Sequence, residues 1–193
     1  VLTSSIVGIA EKSAVIDGSA IREGDAILAV ASNGLHTNGY SLVRLLMDKM
    51  PQIKLDKIDG LTFIEQIMKP HTPYYKSLKK LFPRNIIHGM AHITGGGIGG
   101  NLCRVIPDGL SARIDLSKIR TLNLFKYIRQ NGNISDEEML RTFNCGVGLA
   151  IVVSEQDKNV VKEHIDQFYP CYEIGRMEKG EDKVVLDKRI NWL

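Results

Sequence analysis

The sequence predicts an α+β fold, a mixed β-sheet with helices packed on its faces. Three observations predict it. Short apolar runs of strand character recur along the chain, amphipathic segments of helical period lie between them, and no internal repeat, low-complexity linker or second boundary divides the pattern. The 193 residues are therefore read as one domain spanning residues 1–193, and their 44% hydrophobic and 24% charged content is ordinary for a chain that buries a single core.

Residues 5 to 11 and 26 to 31 read as strands, separated by a turn-rich stretch that Gly18 and Gly24 punctuate. Residues 40 to 50 read as a helix. Leu42 and Leu46 lie one turn apart, Val43 and Met50 extend that stripe, Arg44 and Asp48 face away from it, and Pro51 stops it. Thr62 with Glu65 three places on is a capping-box pattern for a short helix, and Thr72–Pro73 reads as N-cap and first residue of another. Ser135 with Glu138 repeats the capping-box device. "NIIHGMAHIT" and "LSARIDL" read as strands, and the near-continuous apolar run of "GVGLAIVVS" marks a strand buried on both faces. "EQDKNVVKEHIDQF" reads as helix, and "CYEIGRM" and "KVVLD" as a closing strand pair around "EKGED".

Charge and cysteine usage exclude several function classes. Net charge is +3, with basic residues spread along the chain, so no nucleic-acid partner is expected. The three cysteines, Cys103, Cys145 and Cys171, are too widely and irregularly spaced for a disulfide framework or a zinc site, which suits a reducing cytoplasm. No stretch approaches the ~18 apolar residues of a membrane span, so no membrane partner is expected. The chain opens without Met on a strand-like run, which suggests that a preceding part is missing.

Two loops carry candidate chemistry. "SNGLHTNG" (residues 32–39) links a buried strand to a helix, a place where unpartnered backbone N–H groups and the helix dipole favour anions. Its Asn33-Gly34 and Asn38-Gly39 steps permit positive φ and close backbone approach, while Ser32, Asn33, His36, Thr37 and Asn38 offer polar side chains. The same residues would also suit a tight turn with Asn38 as N-cap. The second loop, "HITGGGIGGN" (residues 92–101), places five glycines within six positions, a costly arrangement that suits a backbone nest for an anion such as phosphate, or else a packing turn. Gly95, Gly97 and Gly100 formally satisfy G-x-G-x-x-G with Asp115 downstream, but Pro107 leaves room for only a turn or two of helix, too little for a dinucleotide-binding crossover. A nicotinamide-dependent oxidoreductase is disfavoured accordingly. His88 and His92 share one strand face without a carboxylate motif, so packing or ligand contact is favoured over a metal role; His71 and His164 read as surface residues. Asn144, Cys145 and Gly146 sit between a capped helix and the buried strand. Cys145 lacks a neighbouring base and reads as a small core residue.

Five stretches, "VGIAEK", "GDAILAVASNGLHTNGYSLVR", "GMAHITGGGIGGNLCRVIPDGL", "GNISDEEMLRTFNCGVGLAIVV" and "EIGRMEKG", occur in the order found in the C-terminal domain of the phosphoribosylformylglycinamidine cyclo-ligase (AIR synthetase) family, which the whole chain resembles. That resemblance implies a ligase of de novo purine synthesis that uses ATP to close formylglycinamidine ribonucleotide into aminoimidazole ribonucleotide. It implies His36 and His92 as catalytic, proton-handling groups. Ser32, Asn33, Gly34, Thr37, Asn38, Gly39, Thr94, Gly95, Gly96, Gly97 and Asn144 become contacts to substrate or phosphate. The family's ATP and Mg²⁺ sites lie largely on an N-terminal domain absent from this chain, so no metal ligand is assigned here. The isolated chain is expected to fold without turning over, the full-length form to be a cytoplasmic homodimer. The pattern departs from the family at Pro70-His71-Thr72-Pro73-Tyr74, where the family carries Pro-Thr-(Arg or Lys)-Ile-Tyr, which puts any ligand contact of that loop in doubt. The alternative is a non-catalytic phosphate-ligand-binding or assembly module of the same fold.

Overall fold

The computed structural model describes residues 5–192. In chain order, strand β1 (Ala26–Ala31) leads to helix α1 (Tyr40–Lys49), which stops at a 3-10 turn opened by Pro51. A small hairpin of β2 (Lys57–Ile58) and β3 (Leu61–Thr62) runs into α2 (Phe63–Ile67), and α3 (Tyr75–Leu78) precedes β4 (Ile87–His92). Then come α4 (Gly97–Leu102), β5 (Leu110–Asp115), α5 (Asn123–Gly132), α6 (Asp136–Thr142) and β6 (Val147–Val153). Helix α7 (Lys158–Asp166) and strands β7 (Cys171–Lys179) and β8 (Val184–Asp187) close the chain.

Six strands form one mixed sheet in the order β4-β6-β1-β7-β5-β8, antiparallel except for the parallel β5/β8 pair. Strand β6 is buried at every position, as its unbroken apolar run predicts for a strand covered on both faces. Along β1 the side chains alternate between two cores. Ile27 and Ala29 join Val43, Leu46, Phe63 and Phe125 on one side; Ala26, Leu28 and Val30 join Leu78, Val161 and Ile165 on the other. Each fully buried Ile, Leu or Phe contributes roughly 1.5–3 kcal/mol through this burial. No helix among the described residues is long and apolar enough to cross a membrane.

Several local expectations hold. Thr62 and Glu65 form the reciprocal capping box that opens α2, and α1 buries Val43 and Leu46. Others are corrected. Residues 5–11 form no strand: Ile6, Val7 and Ile9 are 98%, 95% and 104% exposed, because no neighbouring strand satisfies their backbone. Helix α3 begins after Tyr74, not at Thr72, whose hydroxyl instead faces His36. At Ser135 only half the box forms: its side chain accepts from the Glu138 N–H, while the Glu138 carboxylate accepts from Thr142 and Arg141 further along the helix. Strands β7 and β8 are not a hairpin, since β5 lies between them. Helix α5 was not anticipated; Leu124, Phe125 and Ile128 give it a buried stripe at helical spacing, without a side-chain cap to announce its start.

Candidate active site

Strands β1 and β4 both pair antiparallel with β6, so both end where β6 begins. The loop after β1, the turn after β4 and the segment before β6 therefore meet at one end of the sheet, although they are far apart in sequence. Asn144, fully buried, clips them. Its Oδ1 accepts from the Ser32 hydroxyl at 2.8 Å and from the Gly146 N–H at 2.9 Å, and its Nδ2 donates to the Gly34 carbonyl at 2.9 Å. Ser32 is buried by the same bond. Both residues are expected ligand contacts, and in this structure both hold the loop.

The loop itself is strained. His36 and Thr37 adopt left-handed φ of 50° and 67°, uncommon for any residue but glycine and rare for a β-branched one. Such positions cost roughly 1–3 kcal/mol each and persist only where surrounding contacts enforce them. Here the Thr37 hydroxyl and Asn38 Nδ2 both donate to the His36 carbonyl, at 2.5 and 2.8 Å, while Asn38 Oδ1 accepts from the Gly95 N–H at 2.9 Å. Asn38 thus joins the two candidate loops and is not the N-cap of α1. That position falls to Gly39, whose left-handed φ of 75° and contact with the Phe143 ring exclude a side chain.

The strained turn drives the His36 side chain inward, to 3% exposure. Its Nε2 lies 2.7 Å from Asn33 Oδ1 and 3.2 Å from Thr72 Oγ1. The His71 ring stacks on it with centroids 4.0 Å apart, and His71 Nε2 in turn meets His92 Nε2 at 3.0 Å. His71 is therefore the half-buried centre of a three-histidine cluster, not the surface residue that its sequence context suggests. Gly148 makes room for this arrangement: a Cβ there would stand 1.9 Å from Tyr74 Oη and 3.0 Å from His36 Cε1. The Tyr74 hydroxyl donates to the Ala31 carbonyl at 2.8 Å.

Burial, followed by the neighbouring His71 and His92, pulls the His36 pKa from 6.5 down to about 4, so the ring is neutral at physiological pH. Burial, then His71, lowers the exposed His92 as well. A neutral imidazole such as that of His36 can donate one hydrogen bond and accept another.

The glycine turn is built by packing. Gly95, Gly96 and Gly97 N–H groups donate to Asn38 Oδ1, the Arg141 carbonyl and the Thr94 carbonyl, at 2.9, 2.9 and 3.0 Å, so none of these three is offered to an anion. At Gly97, φ is +61° and a Cβ would lie 1.7 Å from the Leu140 carbonyl oxygen: α4 presses directly on α6. Asn101, which the sequence reading missed, gathers the turn by donating to the carbonyls of Thr94, Gly95 and Gly97, and its Oδ1 accepts from the Thr94 hydroxyl. As expected, α4 is only six residues long, and β4 borders the antiparallel β6 rather than a parallel crossover partner, so the dinucleotide motif is formal only.

Of the expected site residues, Asn33, Thr37 and His92 are exposed and Asn38 and Thr94 half-exposed at this sheet end; Gly34, Gly39 and the glycine turn serve the backbone. His71, Thr72 and Tyr74 are additions, and the only sequence signal for them is the departure at Pro70–Tyr74. A cavity of about 460 Å³ adjoins the cluster, lined by Ser32, Asn33, Pro70, His71, Thr72 and Tyr169. Among the described residues the one group of three or more clustered potential metal ligands is His36, His71 and His92. An all-nitrogen set does not suit Mg²⁺, which takes oxygen ligands, so no Mg²⁺ site is built from it.

A family profile described as "AIR synthase related protein, C-terminal domain" matches residues 22–188. The phosphoribosylformylglycinamidine cyclo-ligase of Methylobacillus flagellatus is 44% identical over 189 residues, covering 96% of this chain and 55% of the relative. That of Streptococcus gordonii is 43% identical over 188 residues, covering 97% and 55%. The chain thus spans about half the length of the curated relatives it matches. A solved hydrogenase maturation protein HypE in complex with ATP superposes with a TM-score of 0.62 at 17% identity, over 88% of this chain and 49% of that one, a likeness of fold.

Proposed function

The chain belongs to the AIR synthase related family through its C-terminal domain, and from that premise we propose that it is the C-terminal part of a phosphoribosylformylglycinamidine cyclo-ligase. In this reading it presents formylglycinamidine ribonucleotide to the three-histidine end of the sheet, while ATP and Mg²⁺ are held mainly by an N-terminal part. The observation that carries the reading is the 43–44% identity to named cyclo-ligases across nearly the whole chain. The working enzyme is a cytoplasmic homodimer, and these residues alone fold without turning over.

In the reaction, ATP phosphorylates the amide oxygen of the substrate, the amidine nitrogen attacks that carbon to close the ring, and phosphate departs with the oxygen. The attacking nitrogen sheds one proton. Such chemistry rests on positioning and on stabilising phosphoryl charge. His92, exposed and neutral, accepts the proton; His36, held neutral by burial, acts through its contact with the exposed Asn33, which it positions for the substrate without charge. Asn33 and Thr37 supply exposed polar contacts at the rim.

The test joins this chain to the N-terminal part of the Methylobacillus flagellatus relative and follows ATP-dependent phosphate release with formylglycinamidine ribonucleotide. Turnover that falls about a hundredfold or more in His92→Ala is expected, in the range of general-base loss. A hybrid that folds and binds the ribonucleotide but turns over equally well without the His92 ring would overturn the assignment.

A further inference from the structure

One ring nitrogen from each of His36, His71 and His92 lies within 4.8 Å of the other two. We infer that these three imidazoles form a binding site for one divalent cation of the zinc type, with a fourth position open toward the cavity beside Asn33 and Pro70.

The donor chemistry selects the ion. Imidazole nitrogens suit Zn²⁺, Co²⁺ and Ni²⁺, whereas no carboxylate joins this group to attract a hard cation. The spacing is close to what coordination needs. Zinc–nitrogen bonds of about 2.0–2.1 Å in a tetrahedron separate ligand nitrogens by about 3.3 Å, and His71 Nε2 and His92 Nε2 already stand 3.0 Å apart. An ion there replaces the hydrogen bond between them.

His36 supplies the independent observation. Asn33 Nδ2 donates to the Pro70 carbonyl at 2.9 Å, which turns Asn33 Oδ1 toward His36 Nε2 at 2.7 Å, and the Asn33 and Thr72 backbone N–H groups approach the same nitrogen at 3.3 and 3.4 Å. The other ring nitrogen, Nδ1, is buried and has no hydrogen-bond partner among the described residues. A histidine with one nitrogen tied to an amide oxygen and the other left bare has the outer-shell pattern of a metal ligand. Two of the three ligands are rigidly placed, His36 by its strained loop and His92 at the end of β4. His71 lies on the half-exposed loop before α3, and its ring, stacked on His36, turns to complete the set. Three imidazoles leave the fourth tetrahedral position for water or an anionic oxygen such as a phosphate oxygen.

This site shares His36 and His92 with the cyclo-ligase reading, and its test is separate because binding is measured without turnover. The purified chain is titrated with Zn²⁺ by calorimetry and with Co²⁺ by visible absorption. One ion per chain is expected, with the intense absorption of four-coordinate Co²⁺ and no displacement by a large excess of Mg²⁺. His71→Ala and His92→Ala weaken Zn²⁺ binding about tenfold or more, while His88→Ala and His164→Ala leave it unchanged. Circular dichroism establishes that each variant is folded; if His36→Ala is not, the other two carry the test. Absence of binding, or affinity unchanged in folded His71→Ala and His92→Ala, would overturn the inference.

Discussion

The Ser32 hydroxyl donates a 2.8 Å hydrogen bond to Asn144 Oδ1, joining two buried side chains 112 residues apart. Through Asn144 the start of β6 holds the loop that carries His36. Asn144→Leu keeps the volume but leaves the Gly34 carbonyl and Gly146 N–H without these partners, and costs about 2–4 kcal/mol. Urea unfolding checks this; an unchanged midpoint would show the clip to be dispensable.

Stability should fall with acid through His36. Its native pKa of about 4 lies below the ordinary 6.5, so between these values the unfolded chain binds the extra proton. The contribution is complete above pH 6.5 and is lost as pH drops toward 4, by an amount on the order of 2–3 kcal/mol. Urea midpoints at several pH values for the wild type and His36→Gln measure it. Parallel curves for the two proteins would refute the assignment.

Within one glycine run, substitutions should have opposite signs. Gly97→Ala drives a Cβ into the Leu140 carbonyl at a left-handed φ, costing roughly 2–4 kcal/mol. Gly100→Ala, in α4 with nothing within 4 Å of its Cβ, stabilises by about 0.5–1 kcal/mol through helix propensity. Thermal melts of the two variants distinguish this from a turn that needs every glycine.

The thiols should separate by burial. Burial pushes Cys145 and Cys171 each up to about 12, which leaves almost no thiolate at pH 8, whereas Cys103 is only half-buried. Iodoacetamide should label Cys103 alone in the native protein and all three in denaturant. Native labelling of Cys145 at a comparable rate would contradict the packing before β6.

Much of the frame was legible in the sequence because its signals are local. The apolar runs of β1 and β6, the stripe of α1 and the Thr62–Glu65 box each depend on residues within a turn or a strand of one another. Residues 5–11 misled for the complementary reason: strand character is realised only where another strand supplies hydrogen bonds. Helix α5 lacked a cap and escaped notice, although its buried stripe is regular.

The sequence by itself determined that the two unusual loops follow strands, that their order resembles one family, and that His36 and His92 are the polar groups to watch. Only the tertiary structure decided what the loops do. Hydrogen-bond partners cannot be read from composition: the glycine N–H groups turned out to face Asn38, Arg141 and Thr94, while His71, unremarkable in the chain, was carried between His36 and His92. The physical reason is that β1 and β4 are both antiparallel to β6, a long-range pairing that brings distant residues to one sheet end where local pattern has no voice.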